Sequence, residues 1–134
     1  MPTLVLVVDD NIYNVKLLEA WLQVENFDVI TAFSGEEALV KLGQHPPAIV
    51  LLDIMMPGMD GFEVCRQIRR NPKTARLPVV MLTALDKPSD REMGLAAGAD
   101  DYLTKPIEVE ALFPLMRRLL QDRSSPEKPS AKAS

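Results

Sequence analysis

Short apolar runs alternate with helical patterns five times along this chain. The runs lie at residues 4–8, 28–31, 48–52, 78–82 and 101–103. They are rich in Val, Ile and Leu and lack polar alternation, which favours strands that are buried on both faces of a parallel sheet. Strands that alternate with helices predict an α/β fold, with right-handed crossovers and helices on both faces of one doubly wound sheet.

Between the runs, apolar residues recur at steps of three and four, the spacing of one helix face. Asn11, Ser34 and Asp60 precede three of these stretches and are predicted N-caps. Ser34 and Glu37 have the spacing of a capping box. Pro114 lies in the last helical stretch, where it should kink the helix unless the first turn begins later.

The 134 residues suffice for one domain with a sizeable core, which we place at residues 1–121. Residues 122–134 contain no large apolar side chain. Burial therefore cannot offset their ordering entropy, and we predict a flexible tail or linker there. This segment is either a free end or the start of a connection to an output domain.

Charge and composition narrow the function classes. The net charge of −4 gives no reason to expect contact with nucleic acid or with an anionic membrane. A single cysteine, Cys65, is compatible with neither an internal disulfide framework nor a cysteine metal cluster. No apolar run approaches the roughly 20 residues of a membrane helix, and the start resembles no signal peptide, so we expect a cytoplasmic protein.

Acidic, hydroxyl and amine side chains stand at the carboxyl ends of four predicted strands. Asp9 and Asp10 follow the first strand, and Asp53 follows the third. Thr83 follows the fourth strand and Lys105 the fifth. Sites in open parallel sheets form in the crevice beyond these strand ends, so we expect the five side chains on one rim.

Three carboxylates in one cleft repel each other, and a divalent cation would resolve the repulsion. Magnesium prefers oxygen ligands and usually keeps several waters beside one or two carboxylates. We predict Asp10 and Asp53 as direct ligands, with Asp9 one water removed. The backbone carbonyl of Met55 is a further candidate ligand.

Lys105 and Thr83 complete the outline of a site for a dianionic phosphoryl group. The metal would neutralise one phosphoryl oxygen and Lys105 a second, while Thr83 donates a hydrogen bond to a third. Phosphoryl transfer needs little from a protein beyond such positioning and charge stabilisation. The nucleophile would then be a carboxylate. Asp53 is the best candidate, since its strand lies between the acidic pair and the Thr-Lys pair.

The segments LVLVVDDN, IVLLDIMMPGMDGFEVCRQIR, PVVMLTAL and AGADDYLTKP resemble the receiver domain of two-component response regulators. The resemblance covers about residues 3 to 120. Within the family it is greatest for receivers of polar cell-cycle regulators and of cyclic-di-nucleotide synthases. It implies a flavodoxin-like fold of five parallel strands in the order 2-1-3-4-5, with five helices.

Carried over by position, the resemblance implies that Asp53 is the phosphoacceptor. It implies that Asp9 and Asp10 form the acidic pair for magnesium and that Lys105 binds the phosphoryl group. It also implies a cis peptide bond between Lys105 and Pro106.

The resemblance implies a mechanism as well. A histidine kinase or a histidine phosphotransfer protein donates to Asp53 from a phosphohistidine. Thr83 then moves toward the phosphoryl group, and Tyr102 changes rotamer and swings into the vacated space. The surface of the fourth helix, fifth strand and fifth helix repacks to control a partner or a fused output domain, and a phosphorylation-dependent homodimer could form there. The chain would be a regulatory domain that assists its own phosphorylation, not an enzyme.

Two alternatives stay open at this point. An aspartate-nucleophile phosphatase on a similar sheet also uses magnesium, a hydroxyl and a lysine. Such enzymes place a second acid two residues after the nucleophile, where this chain has Met55, which cannot transfer a proton. A flavin carrier is the other alternative, but three acids on the rim would repel its phosphate unless a metal intervened. Met55 also predicts a phosphorylated lifetime of minutes or longer, because its side chain cannot orient an attacking water.

Overall fold

The computed structural model describes residues 3–84 and 87–124, and within them all ten predicted elements form. The strands are β1 (Leu4–Val8), β2 (Asp28–Ala32), β3 (Ile49–Asp53), β4 (Val79–Thr83) and β5 (Asp101–Thr104). The helices are α1 (Ile12–Val24), α2 (Gly35–Gln44), α3 (Gly61–Arg70), α4 (Pro88–Ala97) and α5 (Val109–Ser124).

The strands form one parallel sheet in the order β2-β1-β3-β4-β5, which confirms the predicted order. Alternate residues of the central strands enter two apolar layers. Leu6 and Val50 belong to the layer shared with α2, α3 and α4. Val7 and Leu51 belong to the layer shared with α1 and α5. The sheet is therefore covered on both faces, as the unbroken apolar runs predict.

Four strands end one residue later than the sequence predicts. Asp53 is paired with Leu82, and Thr83 with Thr104, so both site residues are the last members of their strands. For β3, β4 and β5 the sequence pattern misses this because a polar side chain does not end a ladder: the backbone of Asp53, Thr83 and Thr104 still pairs. The site residues are thus held by the sheet itself.

The three predicted N-caps are confirmed. Asn11 accepts from the backbone N–H groups of the first turn of α1, and Asp60 accepts from that of Glu63 at 3.0 Å. Ser34 accepts from the N–H of Glu37 at 3.1 Å. The return bond of the capping box differs, because the Glu37 carboxylate accepts from Phe33 instead of Ser34.

The last helix begins at Val109 as predicted, so Pro114 lies inside it. Pro114 is exposed, and the helix continues to Ser124. The boundary predicted after residue 121 therefore falls within this helix, and the tail from residue 125 onward lies outside the described residues. Of the helices in the described ranges, none has the length and apolar character needed to cross a lipid bilayer.

Candidate functional site

The acids predicted to meet at the strand ends do so. Carboxylate oxygens of Asp9, Asp10 and Asp53 all lie within 4.8 Å of one another. Asp9 and Asp53 are buried, with 3% and 5% of their surface exposed, whereas Asp10 is exposed. The cluster therefore has a buried floor and one acid at its open mouth.

The β3–α3 connection packs closely against the backbone of Asp53. The N–H of Gly61 donates to the carbonyl of Ile54 at 2.9 Å, which brings the start of α3 against the end of β3. A Cβ at position 61 would overlap the backbone carbonyl oxygen of Asp53. Glycine is therefore required at this position for the helix to approach so closely.

Lys105 links the two buried acids. Its Nζ lies 2.9 Å from Oδ2 of Asp9 and 3.3 Å from Oδ1 of Asp53. Its backbone N–H donates to the carbonyl of Thr83 at 2.7 Å, which fixes the loop after β5 to the end of β4. The Lys105–Pro106 peptide bond is cis, as the resemblance implied.

Burial and neighbouring charge set the protonation of these groups. Burial raises the pKa of Asp53 from 3.8 to about 6. The charges of Asp9 and Asp10 also raise this pKa, whereas the charge and hydrogen bond of Lys105 lower it. Burial acts to lower the pKa of Lys105, but its hydrogen bond to Asp9 and the charge of Asp53 outweigh this and raise it. One ammonium therefore serves two buried carboxylates, and the site keeps an excess of negative charge.

The donor set fits a hard divalent cation. All three acids offer carboxylate oxygens at mutual distances that one ion can span. Asp9 already accepts hydrogen bonds from the N–H of Asn11 at 2.9 Å, from the Asn14 amide at 3.2 Å and from Lys105. These bonds occupy both oxygens of Asp9, which favours Asp10 and Asp53 as the residues that would hold a magnesium ion directly.

Thr83 and Tyr102 lie on the two strands beyond Asp53. Thr83 is fully buried at the end of β4, and Tyr102 pairs in register with Met81. Tyr102 is only 3% exposed, so its ring lies inward. The guanidinium of Arg91, on α4, lies 5.1 Å from the centre of this ring.

Two residues at the site were missed by the sequence analysis. Asn14 donates to Asp9, and Arg91 covers Tyr102. Each contact is made between side chains, and neither Asn14 nor Arg91 belongs to a segment quoted for the resemblance. The only signal for Asn14 in the sequence is that a polar residue interrupts the first turn of a helix next to an acidic pair.

Comparisons with known proteins agree with this geometry. The family model "Response regulator receiver domain" matches residues 5–117. The response regulator PleD of Caulobacter vibrioides is 51% identical over 119 residues, which cover 89% of this chain and 26% of PleD. The phosphate regulon transcriptional regulatory protein PhoB of Rhizobium meliloti is 41% identical over 127 residues, 95% of this chain and 55% of PhoB. This chain therefore spans about a quarter of one relative and about half of the other.

The solved structures agree as well. The chemotaxis protein CheY4 of Vibrio cholerae superposes with a TM-score of 0.84 at 33% identity, over 89% of this chain and 99% of that chain. These matches lend no support to the phosphatase alternative. Fold, acid cluster and matched segments agree on one assignment. The chain belongs to the family of response regulator receiver domains, the signalling switches of two-component systems.

Proposed function

We propose that Asp53 accepts a phosphoryl group from a phosphohistidine on a histidine kinase or a histidine phosphotransfer protein. The observation that carries this proposal is the bridge that the Lys105 ammonium makes between the buried carboxylates of Asp9 and Asp53. Such a site holds a nucleophile with a cationic group beside it, at the end of a rigid strand. The negative charge that Lys105 leaves unbalanced also suits a divalent cation. A role for Lys105 as a counter-ion alone would not explain this remaining charge.

The side chains divide the work as follows. Asp10 and Asp53, with the backbone carbonyl of Met55, would hold magnesium, which when bound supplies positive charge to the phosphoryl oxygens. Asp53 attacks phosphorus through a carboxylate oxygen, and the donor imidazole leaves. Lys105 turns from the acids to a phosphoryl oxygen, and Thr83 donates its hydroxyl to another. Positioned charge of this kind stabilises the transition state without covalent chemistry from other groups.

We propose that the output surface is formed by α4, β5 and α5. Thr83 and Tyr102 couple it to the site, since Thr83 ends the strand next to β3 and Tyr102 contacts α4. Met93 and Leu95 are exposed on α4, and a salt bridge of 3.1 Å joins Arg118 of α5 to Asp101 of β5. This surface would control a partner, a homodimer or an output domain beyond residue 124 of a cytoplasmic protein.

The proposal is tested by treating the protein with acetyl phosphate, with and without magnesium. We expect a mass increase of one phosphoryl group only when magnesium is present. Borohydride reduction of the acyl phosphate, followed by peptide mass spectrometry, should place the label on Asp53. Label on Asp9 or Asp10, or no label at saturating magnesium, would overturn the proposal.

The phosphorylated form is expected to last for minutes or longer. Met55 lies two residues after the phosphoacceptor, and its side chain is 59% exposed with no group that can orient a water. Loss of the label should be followed by mass spectrometry after the donor is removed. Met55→Glu should shorten the lifetime, whereas Met93→Glu, an exposed methionine on α4, should not. Loss within seconds in the unmodified protein would contradict this expectation.

Arg91→Ala is expected to favour the outward rotamer of Tyr102. A cation over an aromatic ring contributes about 0.5–2 kcal/mol, so its loss should lower the ratio of inward to outward rotamers several-fold. The chain has two tyrosines. Their ring signals in NMR spectra can be assigned with Tyr13→Phe, and the Tyr102 signal reports the shift.

Arg118→Ala is the matched control for this experiment, because it removes a second arginine from the same output surface without touching the ring. Since the inward rotamer is linked to phosphorylation, Arg91→Ala should also weaken binding of beryllofluoride. An unchanged Tyr102 spectrum would show that Arg91 does not hold the ring.

A further inference from the structure

Asn14 occupies a place in the site that the phosphoacceptor chemistry does not yet use. It is partly buried in the first turn of α1, and its Nδ2 lies 3.2 Å from Oδ2 of Asp9. The same oxygen accepts from Nζ of Lys105 at 2.9 Å. Oδ2 of Asp9 therefore has one charged donor and one neutral donor.

We propose that Asn14 is a positioning residue that keeps Asp9 in place when Lys105 leaves it for the phosphoryl group. This inference rests on the proposed function. The ammonium of Lys105 is carried by a flexible four-carbon side chain, and it must move from Asp9 to a phosphoryl oxygen. Asp9 is buried, and a buried carboxylate oxygen that loses its donor is destabilised. After the move, Asn14 is the donor that stays on Oδ2.

The backbone of α1 fixes Asn14 for this role. The N–H of Asn14 donates to Oδ1 of Asn11 at 3.2 Å, within the helix cap. The N–H of Asn11 in turn donates to Oδ1 of Asp9 at 2.9 Å. Both carboxylate oxygens of Asp9 are therefore tied to the start of α1, through a loop of hydrogen bonds that does not include Lys105.

A neutral amide suits this position better than a cation. A lysine or arginine here would also donate to Asp9, but it would cancel negative charge that the cation site requires. An amide supplies the hydrogen bond and leaves the charge of the acid cluster unchanged. The residue type therefore agrees with a role in holding an acid beside a bound cation.

The test compares two ligands on the full chain. Magnesium affinity is measured by calorimetry on the unphosphorylated protein, where Lys105 still contacts Asp9. Beryllofluoride affinity is then measured at saturating magnesium, where Lys105 has moved to the phosphoryl mimic. For Asn14→Leu we expect about a tenfold loss of beryllofluoride affinity, because Oδ2 of the buried Asp9 then has neither Asn14 nor Lys105 as a donor. The loss of magnesium affinity should be smaller, about threefold or less.

The controls separate this role from a general structural one. Asn14 and Leu17 line the same groove between α1 and the loop after β5. Leu17→Ala alters that groove without touching Asp9 and should leave both affinities unchanged. Asn14→Gln keeps the amide and should recover part of the beryllofluoride affinity, and it carries the test if Asn14→Leu does not fold.

The outcomes are distinct. Equal losses for the two ligands, or wild-type affinities in Asn14→Leu, would overturn the role of Asn14 while leaving the phosphoacceptor assignment intact. Wild-type protein that binds neither ligand would instead mean that the proposed function has failed.

Discussion

Asp53→Asn is expected to take up no phosphoryl group and to make the metal-free protein harder to unfold near neutral pH. The first effect follows because an amide nitrogen and carbonyl do not replace the carboxylate nucleophile. The second follows from the pKa of Asp53, which is about 6 in the folded protein against an ordinary value of 3.8. The folded state holds this proton more tightly than the unfolded chain does.

The sign of the pH dependence follows from linkage. Between the ordinary pKa and about 6, the folded state binds more protons, so the stability of the wild-type protein falls as pH rises through this window. Above this pH window the ionised Asp53 destabilises the fold by about 1–3 kcal/mol, since each unit by which the folded and unfolded pKa values differ corresponds to roughly 1.4 kcal/mol. Asp53→Asn removes this cost, so its gain should be complete by about pH 7, remain at higher pH and vanish near pH 4.

Urea unfolding without magnesium, at several pH values, measures this gain. Asp60→Asn is a matched control: it also removes one carboxylate, but Asn caps a helix about as well as Asp, so its stability should change little. Saturating magnesium should reduce the advantage of Asp53→Asn, because the cation stabilises only the carboxylate form. A gain that does not depend on pH would contradict the explanation by burial and charge.

Lys105→Met is expected to slow phosphorylation by acetyl phosphate by about 10²–10³-fold, the scale for loss of one positioned donor at a charged transition state. The bridge from Nζ to Asp9 and Asp53 is also lost. Two buried carboxylates without their cation should destabilise the metal-free fold by about 3 kcal/mol. Magnesium should recover part of this stability.

The rate is measured from the mass increase over time at saturating magnesium. Lys16→Met, an exposed lysine on α1, removes one positive charge away from the acids and should leave the rate unchanged. Lys105→Arg should retain only some of the rate. The positive charge remains, but the planar guanidinium differs in shape from the ammonium. A Lys105→Met rate within about threefold of wild type would mean that Lys105 serves only as a counter-ion.

The sequence predicted the fold and the rim of the site because both depend on local pattern. Unbroken apolar runs require a sheet covered on both faces, and a parallel sheet brings Asp9, Asp53 and Lys105 to one edge. The pattern could not predict which side chains bond to each other, because that depends on rotamers and on the angle at which a helix meets the sheet. It missed the amide of Asn14 on Asp9 and the guanidinium of Arg91 over Tyr102 for this reason.

The inward ring of Tyr102 shows the same limit. The resemblance implied that Tyr102 changes rotamer, but it did not give the neighbours that bury the ring, which leave only 3% of the residue exposed. Burial of an aromatic ring depends on its neighbours, and here α4 places Gly94 and Arg91 beside the ring. Periodicity cannot predict these neighbours, because they depend on how α4 packs on β5.

Asp53 and Thr83 are both bonded into the sheet through their own peptide groups. Neither main chain could slide if Asp53 carried the proposed phosphoryl group, since sliding would break ladder bonds with the adjacent strands. The backbone at the attachment point would therefore stay rigid. Side-chain torsions and the connecting loops would have to accommodate the added group. Phosphorylation accommodated in this way would leave the core packing unchanged. The domain could then gain and lose a phosphoryl group repeatedly without passing through a partly unfolded state.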